Sequence, residues 1–254
     1  MSKAVGRSLP VSPYRRVVTD LMHFSQQVPA VTVERRMDLS ELVAARASAS
    51  PRPCWTILFS KAYAILGRDY PVLRRSYMKF PRPRFYEHPH SIAALNVQRR
   101  LPTEDVVLFC LIGDPENRSL EELAAIVRHH RDAPVEELST YRRSAGMGRI
   151  PWPLRRWVWW GALNVFGQTR CNNFGTFSVS SIASQGAGLL HLLPILTSAL
   201  HYGLFDDDGR IDMRITFDHR VMDGATVARI LTDLESVLTG EMMRELTASV
   251  RQAA

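Results

Sequence analysis

The stretch IDMRITFDHRVMDG, residues 211–224, changes its pattern midway. Up to Phe217 the residues alternate, with Ile211, Met213, Ile215 and Phe217 on one side and Asp212, Arg214, Thr216 and Asp218 on the other, which predicts a half-buried strand. Beyond Gly224 the period lengthens. Val227, Ile230, Leu231, Leu234, Val237 and Leu238 recur at helical spacing, so ATVARILTDLESVL is expected to be an amphipathic helix. His219 therefore stands where a strand ends and a helix is about to begin. Packed elements hold such a junction still while its side chains face a cleft, which suits a catalytic base. The local pattern also has a plainer reading, in which Asp223 is an N-cap, Gly224 eases the turn and His219 is incidental surface.

Working outward, RRVVTDLMHFSQQV predicts a first helix within 10–30 that Pro29 stops, followed by a short strand around 31–37. A second helix comes next, capped by Asp38 or Ser40. Helical spacing over 55–66 is closed by Gly67 and Pro71, and PRPRFYEHPH at 81–90 reads as a surface connection. Alternation over 92–97 and the apolar run 106–112 predict strands. Ser119 with Glu122 three residues on forms a capping-box pattern ahead of a further helix. The segment 150–166, IPWPLRRWVWWGALNVF, gathers four of the five tryptophans beside two arginines. It reads either as a helix packed on the domain or as an interfacial one that meets a membrane surface or a long acyl chain. No Asp, Glu, Lys or Arg occurs from Cys171 to Phe205, yet LLHLLPILTSAL is too short, and too interrupted by Pro194, to span a membrane. Buried strands are expected there.

At 254 residues and 46% apolar content, the chain can bury a sizeable core. Cys54, Cys110 and Cys171 lie far apart without ligand spacing, so neither a disulfide framework nor a metal site is expected, and all three read as core thiols. The +7 net charge is spread over Arg pairs with no long basic tract, so nucleic acid is not an expected partner. The N-terminal residues lead into no apolar h-region. A cytoplasmic address is expected, with a membrane-peripheral position open through 150–166.

DHRVMDG, residues 218–224, resembles the DHRxxDG signature of the acyltransferase catalytic domain of 2-oxo acid dehydrogenase complexes, relatives of chloramphenicol acetyltransferase and its HHxxxDG superfamily. The likeness continues through 15–46, 53–77 and 106–126, and NNFGTFSVSSI at 172–182 is similar to the family's GTFTISN strand. It implies an α/β fold, a two-layer sandwich of the chloramphenicol acetyltransferase type with helices packed on a mixed sheet. The chain would then be one catalytic domain over 1–254, with a Trp/Arg-rich insertion at 150–170 and the active-site strands, motif and following helix at 171–240. By the same resemblance His219 removes the proton of a thiol that attacks a thioester, chemistry that an imidazole titrating near neutrality can perform. Ser180 falls on the hydroxyl that stabilises the tetrahedral oxyanion, the alternative being a plain polar strand residue. Asp223 would shape the site through an ion pair with Arg16 or Arg15, Asp218 replaces the first histidine of the HHxxxDG relatives, and Gly224 permits the close turn. His129 and His130 read as solvated.

The resemblance also implies coenzyme A as the acyl-thioester substrate and trimers in which the histidine of one subunit faces the serine-bearing strand of the next. Several features depart from it. No lipoyl domain, linker or subunit-binding domain is recognisable, SSIASQG stands where SNLG usually follows the serine, and the Trp/Arg segment is longer than the usual connection. The expectation is therefore a stand-alone acyltransferase using an acyl-CoA or acyl-carrier thioester, with no lipoyl group or metal of its own. The alternatives are a dehydrogenase-complex core served by lipoyl domains in trans, or a catalytically idle assembly protein.

Overall fold

The computed structural model describes residues 6–101, 104–192 and 194–253. Helix α1 (Pro13–Ser25) starts with proline at its first position, and the Ser12 hydroxyl accepts from Arg15 N at 3.0 Å, which satisfies one of the free N–H groups of the first turn. Strand β1 (Ala30–Asp38) leads to α2 (Ser40–Ser48), where Asp38 rather than Ser40 supplies the cap by accepting from Ser40 N at 3.1 Å. Helix α3 (Trp55–Asp69) runs past the expected stop at Gly67. There the glycine lets the helix approach Ser91, whose hydroxyl would lie 2.7 Å from an added Cβ.

The stretch 81–90 is more than a connection. Strand β2 (Arg75–Met78) pairs antiparallel with β3 (Arg84–Glu87) in a small hairpin of its own. Strands β4 (Ile92–Arg100) and β5 (Asp105–Gly113) form a long antiparallel pair. The capping box of α4 (Leu120–Asp132) is present in both halves, Ser119 N to Glu122 at 2.8 Å and Glu122 N to the Ser119 hydroxyl at 3.2 Å. Helices α5 (Ser139–Arg149), α6 (Trp152–Asn164) and α7 (Gly167–Phe174) precede β6 (Phe177–Ser180). The expected strands of the uncharged segment reduce to β6 and β7 (Ser198–Phe205). Residues 186–192 between them have no regular structure, and Leu190 is exposed there. Strand β8 (Arg210–Asp218) and helix α8 (Gly224–Val237) stand where the alternating and helical patterns put them, and a π-turn leads into α9 (Met243–Ala253).

The six-stranded sheet has the order β1-β8-β7-β6-β4-β5, with β6 parallel to both neighbours and the other pairs antiparallel. This is the α/β class expected, a mixed sheet with helices packed on it. One face carries Met37, Leu95, Phe177, Val179, Met213, Ile215 and Phe217 against α3 and α8, in the main core. Full burial of side chains this size stabilises by roughly 1.5–3 kcal/mol each. On the other face, Ala94 of β4 belongs to a second cluster with Phe24, Trp159 and Leu163. Phe109 and Leu111 of β5 pack on that cluster, while the β7–β8–β1 side of the face is polar, with His201, Thr216 and Thr32 in a row. Of the cysteines, Cys110 and Cys171 are buried as expected, whereas Cys54 is exposed.

Candidate active site

His219 follows directly on β8, which carries it past the end of the paired register. The turn beneath it is tightly held. Its own N–H donates to Pro29 O at 3.0 Å, Asp218 N–H donates to Thr197 O at 2.9 Å, and Val221 N–H returns to Asp218 O at 2.9 Å. Asp218 is fully buried and accepts a two-pronged grip from Arg220, Nε at 2.9 Å and Nη2 at 2.7 Å. The guanidinium lies 4.4 Å over the Tyr77 ring. A bidentate pair of this kind fixes direction as well as charge. Behind it, buried Arg170 donates to Tyr77 O, Leu163 O and Ile195 O, and burial holds its guanidinium down to about 10, partly offset by the nearby Cys171 and Asp218. The result is an exposed imidazole, tilted against Phe217 at 5.7 Å between ring centres, on a rigid base.

Ser180 closes β6 and is 8% exposed. Its hydroxyl accepts from Asn96 Nδ2 at 2.9 Å, which occupies one lone pair and leaves the O–H proton free to donate elsewhere. The glycine that opens this strand is constrained twice. Gly175 has φ +92, and an added Cβ would come within 2.9 Å of Ile92 O. Beside Ser180 in the ladder is His201, a group the linear sequence did not single out. Its Nε2 lies 3.1 Å from the Thr216 hydroxyl and its Nδ1 3.2 Å from Leu189 O. Burial pushes its pKa down to about 4, so at neutral pH it is an uncharged member of the polar row.

His219 and Ser180 do not meet within the chain. Ser180 is level with His201, and His201 with Arg214, so His219 lies five positions beyond Ser180's level and two strands away. Strand geometry converts this to roughly 17 Å along the sheet and about 10 Å across it. The exposed His219 and the buried Ser180 lie near opposite ends of the sheet.

The expected ion pair from Asp223 to the first helix is not formed either. Arg16 Nε donates to Val11 O at 3.1 Å, Arg15 lies 3.9 Å from Glu104, and exposed Asp223 occupies the N-cap position of α8 without a side-chain capping bond. The acidic residue of α1 with arginine partners is instead Asp20, fully buried. Arg155 donates to it and Arg156 Nε stands 2.9 Å from its other oxygen. This explains the two arginines of the Trp-rich segment, since they anchor α6 to α1. Gly224 has open space around it and no positive φ, so the turn itself does not require glycine. His129 is exposed and His130 half-buried on α4.

The Trp-rich helix has one packed and one outward face. Trp159 and Leu163 are core, whereas Trp157 is 71% exposed, with Trp152, Leu154 and Phe166 also turned outward. Among the described residues no helix is long and apolar enough to cross a membrane.

No family profile matches the chain, and no curated protein matches it. Solved structures do. A probable dihydrolipoamide acetyltransferase from Listeria monocytogenes is 16% identical, with 98% of this chain and 96% of that one covered at a TM-score of 0.61. The cubic core of the pyruvate dehydrogenase multienzyme complex is 18% identical, covers 94% and 93%, and has a TM-score of 0.65. A truncated catalytic core of the 2-oxoacid dehydrogenase multienzyme complex from Thermoplasma acidophilum is 18% identical, covers 92% and 99%, and has a TM-score of 0.64. At these identities the likeness is one of fold, and the chain has the fold of the catalytic cores of 2-oxoacid dehydrogenase complexes.

Proposed function

We propose that this chain is a thioester-dependent acyltransferase whose active site forms between copies, with His219 of one subunit facing Ser180 of the next. The observation that carries the reading is the placement of these two groups. The Ser180 hydroxyl is positioned by Asn96 and the His219 backbone by Pro29 O, each with a catalytic atom left free, yet the two groups sit about 20 Å apart in one chain. A cyclic trimer, or a multiple of trimers, repeats one heterologous interface and can bring each histidine to a neighbouring serine.

In the reaction, His219 takes the proton from an acceptor thiol, and the sulfur attacks the carbonyl of an acyl-CoA or acyl-carrier thioester. The carbonyl pair moves onto oxygen, where the Ser180 hydroxyl donates to it. Collapse breaks the original C–S bond, and the imidazolium returns its proton to the departing thiolate. Asn96 keeps the Ser180 proton directed away from itself, and the Asp218–Arg220 pair keeps the His219 turn from shifting. The +7 charge favours an anionic phosphate-bearing carrier such as coenzyme A.

A core acyltransferase working with lipoyl domains in trans is the second reading, favoured by the fold shared with dehydrogenase-complex cores. The outward Trp152, Leu154, Trp157 and Phe166 support a membrane-surface contact as an accompanying feature. Thiol release from a panel of acyl-CoAs, run beside acylated lipoyl domain, tests the function. His219→Ala is expected to lower transfer at least 10²-fold. A folded His219→Ala protein within a few-fold of wild type would overturn the mechanism, and transfer from lipoyl domain alone would favour the second reading.

A further inference from the structure

Between α1, α5, α6 and the outer face of β4 and β5 lies a cavity of about 600 Å³, within the roughly 300–1,000 Å³ of small-molecule sites. Its walls are mainly apolar, with Val17, Leu21, Phe109, Met147, Trp159 and Phe174 among them. At one end Gly148 brings α5 so close to Pro13 of α1 that an added Cβ would overlap its carbonyl. On the sheet side the lining includes Asn96, which is exposed and whose amide donates to Ser180. The cavity thus starts at the residue that positions the serine hydroxyl and runs back under the helices.

Two polar groups in the lining are buried and have no protein partner, the indole N–H of Trp159 and the hydroxyl of Thr140. Trp159 as a whole is only 5% exposed. Buried donors are almost always paired, so such groups in an otherwise greasy cavity mark places for ligand atoms.

We infer that this cavity holds the acyl chain of the substrate, and that the substrate is a medium- or long-chain acyl thioester rather than an acetyl one. The inference rests on the acyl-transfer reading for the identity of the reacting end. The thioester carbonyl sits by Asn96 and Ser180, the chain passes between α1 and β5, and the Trp159 N–H meets an oxygen carried by the chain or by water held with it. An acetyl group would leave the cavity unfilled, whereas each added methylene exchanges water for apolar wall.

The test is equilibrium binding of dodecanoate by calorimetry to the whole chain, with acetate as the control. Dodecanoate is expected to bind saturably at one site per chain, and acetate not at all. Ala162→Trp, which grows a side chain from α6 into the cavity, is expected to weaken dodecanoate at least tenfold, and Leu21→Trp to do so from the α1 wall if the first variant does not fold. Absence of saturable dodecanoate binding, or binding unchanged in a folded filling variant, overturns the inference. Dodecanoate carries no thioester, so its binding asks nothing of His219 or Ser180. If His219→Ala retains full transfer activity while dodecanoate still binds, the mechanism falls and the cavity assignment stands. If dodecanoate does not bind while transfer depends on His219, only the cavity assignment falls.

Discussion

Ser180 has one lone pair committed to Asn96, and this commitment decides which way its proton can point. In the proposed reaction Asn96 acts through the serine, as a positioning residue. Asn96→Ala should lower kcat about tenfold with little change in KM, whereas Ser180→Ala should cost roughly 10²- to 10³-fold as the loss of an oxyanion donor. Steady-state kinetics with one acyl-CoA separate the two, and an Asn96→Ala effect confined to KM would contradict the assignment. On the other half-site, removing Arg220 strands the fully buried Asp218 carboxylate. Arg220 is itself one-third exposed, so Arg220→Met should destabilise by about 2–3 kcal/mol, somewhat less than a pair buried on both sides. A urea midpoint unchanged from wild type would show that the turn does not depend on the pair. His219, Ser180, Asp223 and Gly224 could be named as candidates from the sequence because their signal is local and lies within two short motifs. Asn96 could not, since it meets Ser180 across 84 positions. Nor could the partners of Asp20, 135 and 136 positions away on α6, and the family resemblance pointed instead to a pair of Asp223 with Arg16 or Arg15.

The elements show the same division. Strand β8, helix α8 and the capping box of α4 follow from periodicity and one side-chain pair. The β2–β3 hairpin is hidden because Pro81, Pro83 and Pro89 around it read as a loop. Strand β7 hides a titration. His201 is buried and neutral, with its pKa pushed from 6.5 to about 4. The unfolded chain binds a proton here below about pH 6.5 and the folded chain does not until about pH 4, so stability is lost as pH falls through that window, by up to roughly 3 kcal/mol. Thermal melts from pH 7 to pH 4.5 should therefore fall more steeply in wild type than in His201→Gln. Parallel curves would place the loss elsewhere. Helix α6 offers a test of its two faces. Trp159→Ala should cost about 3–5 kcal/mol. Trp157→Ala on the exposed face should stay within about 0.5 kcal/mol. Equal losses in denaturant unfolding would mean that the outer face is covered in the folded assembly.

The sheet order of the whole molecule sends its two candidate half-sites to opposite ends. Because β6 and β7 run parallel while β8 returns between β7 and β1, the C-terminal end of β8 lies at the N-terminal end of β6, and Ser180 is left at the far end. No rearrangement short of unpairing the sheet can close that distance within one chain, so the proposed chemistry, if it uses both groups, requires two copies. His219→Ala and Ser180→Ala proteins, each nearly inactive alone, should complement one another when unfolded together and refolded, because mixed assemblies contain interfaces where an intact His219 meets an intact Ser180. The decisive measurement is the acyl-transfer rate of that co-refolded mixture against each variant refolded alone. Recovery of a substantial fraction of wild-type activity is expected. No recovery in a mixture shown by mass to contain mixed assemblies, or a fully active wild-type monomer, would contradict a site built between copies.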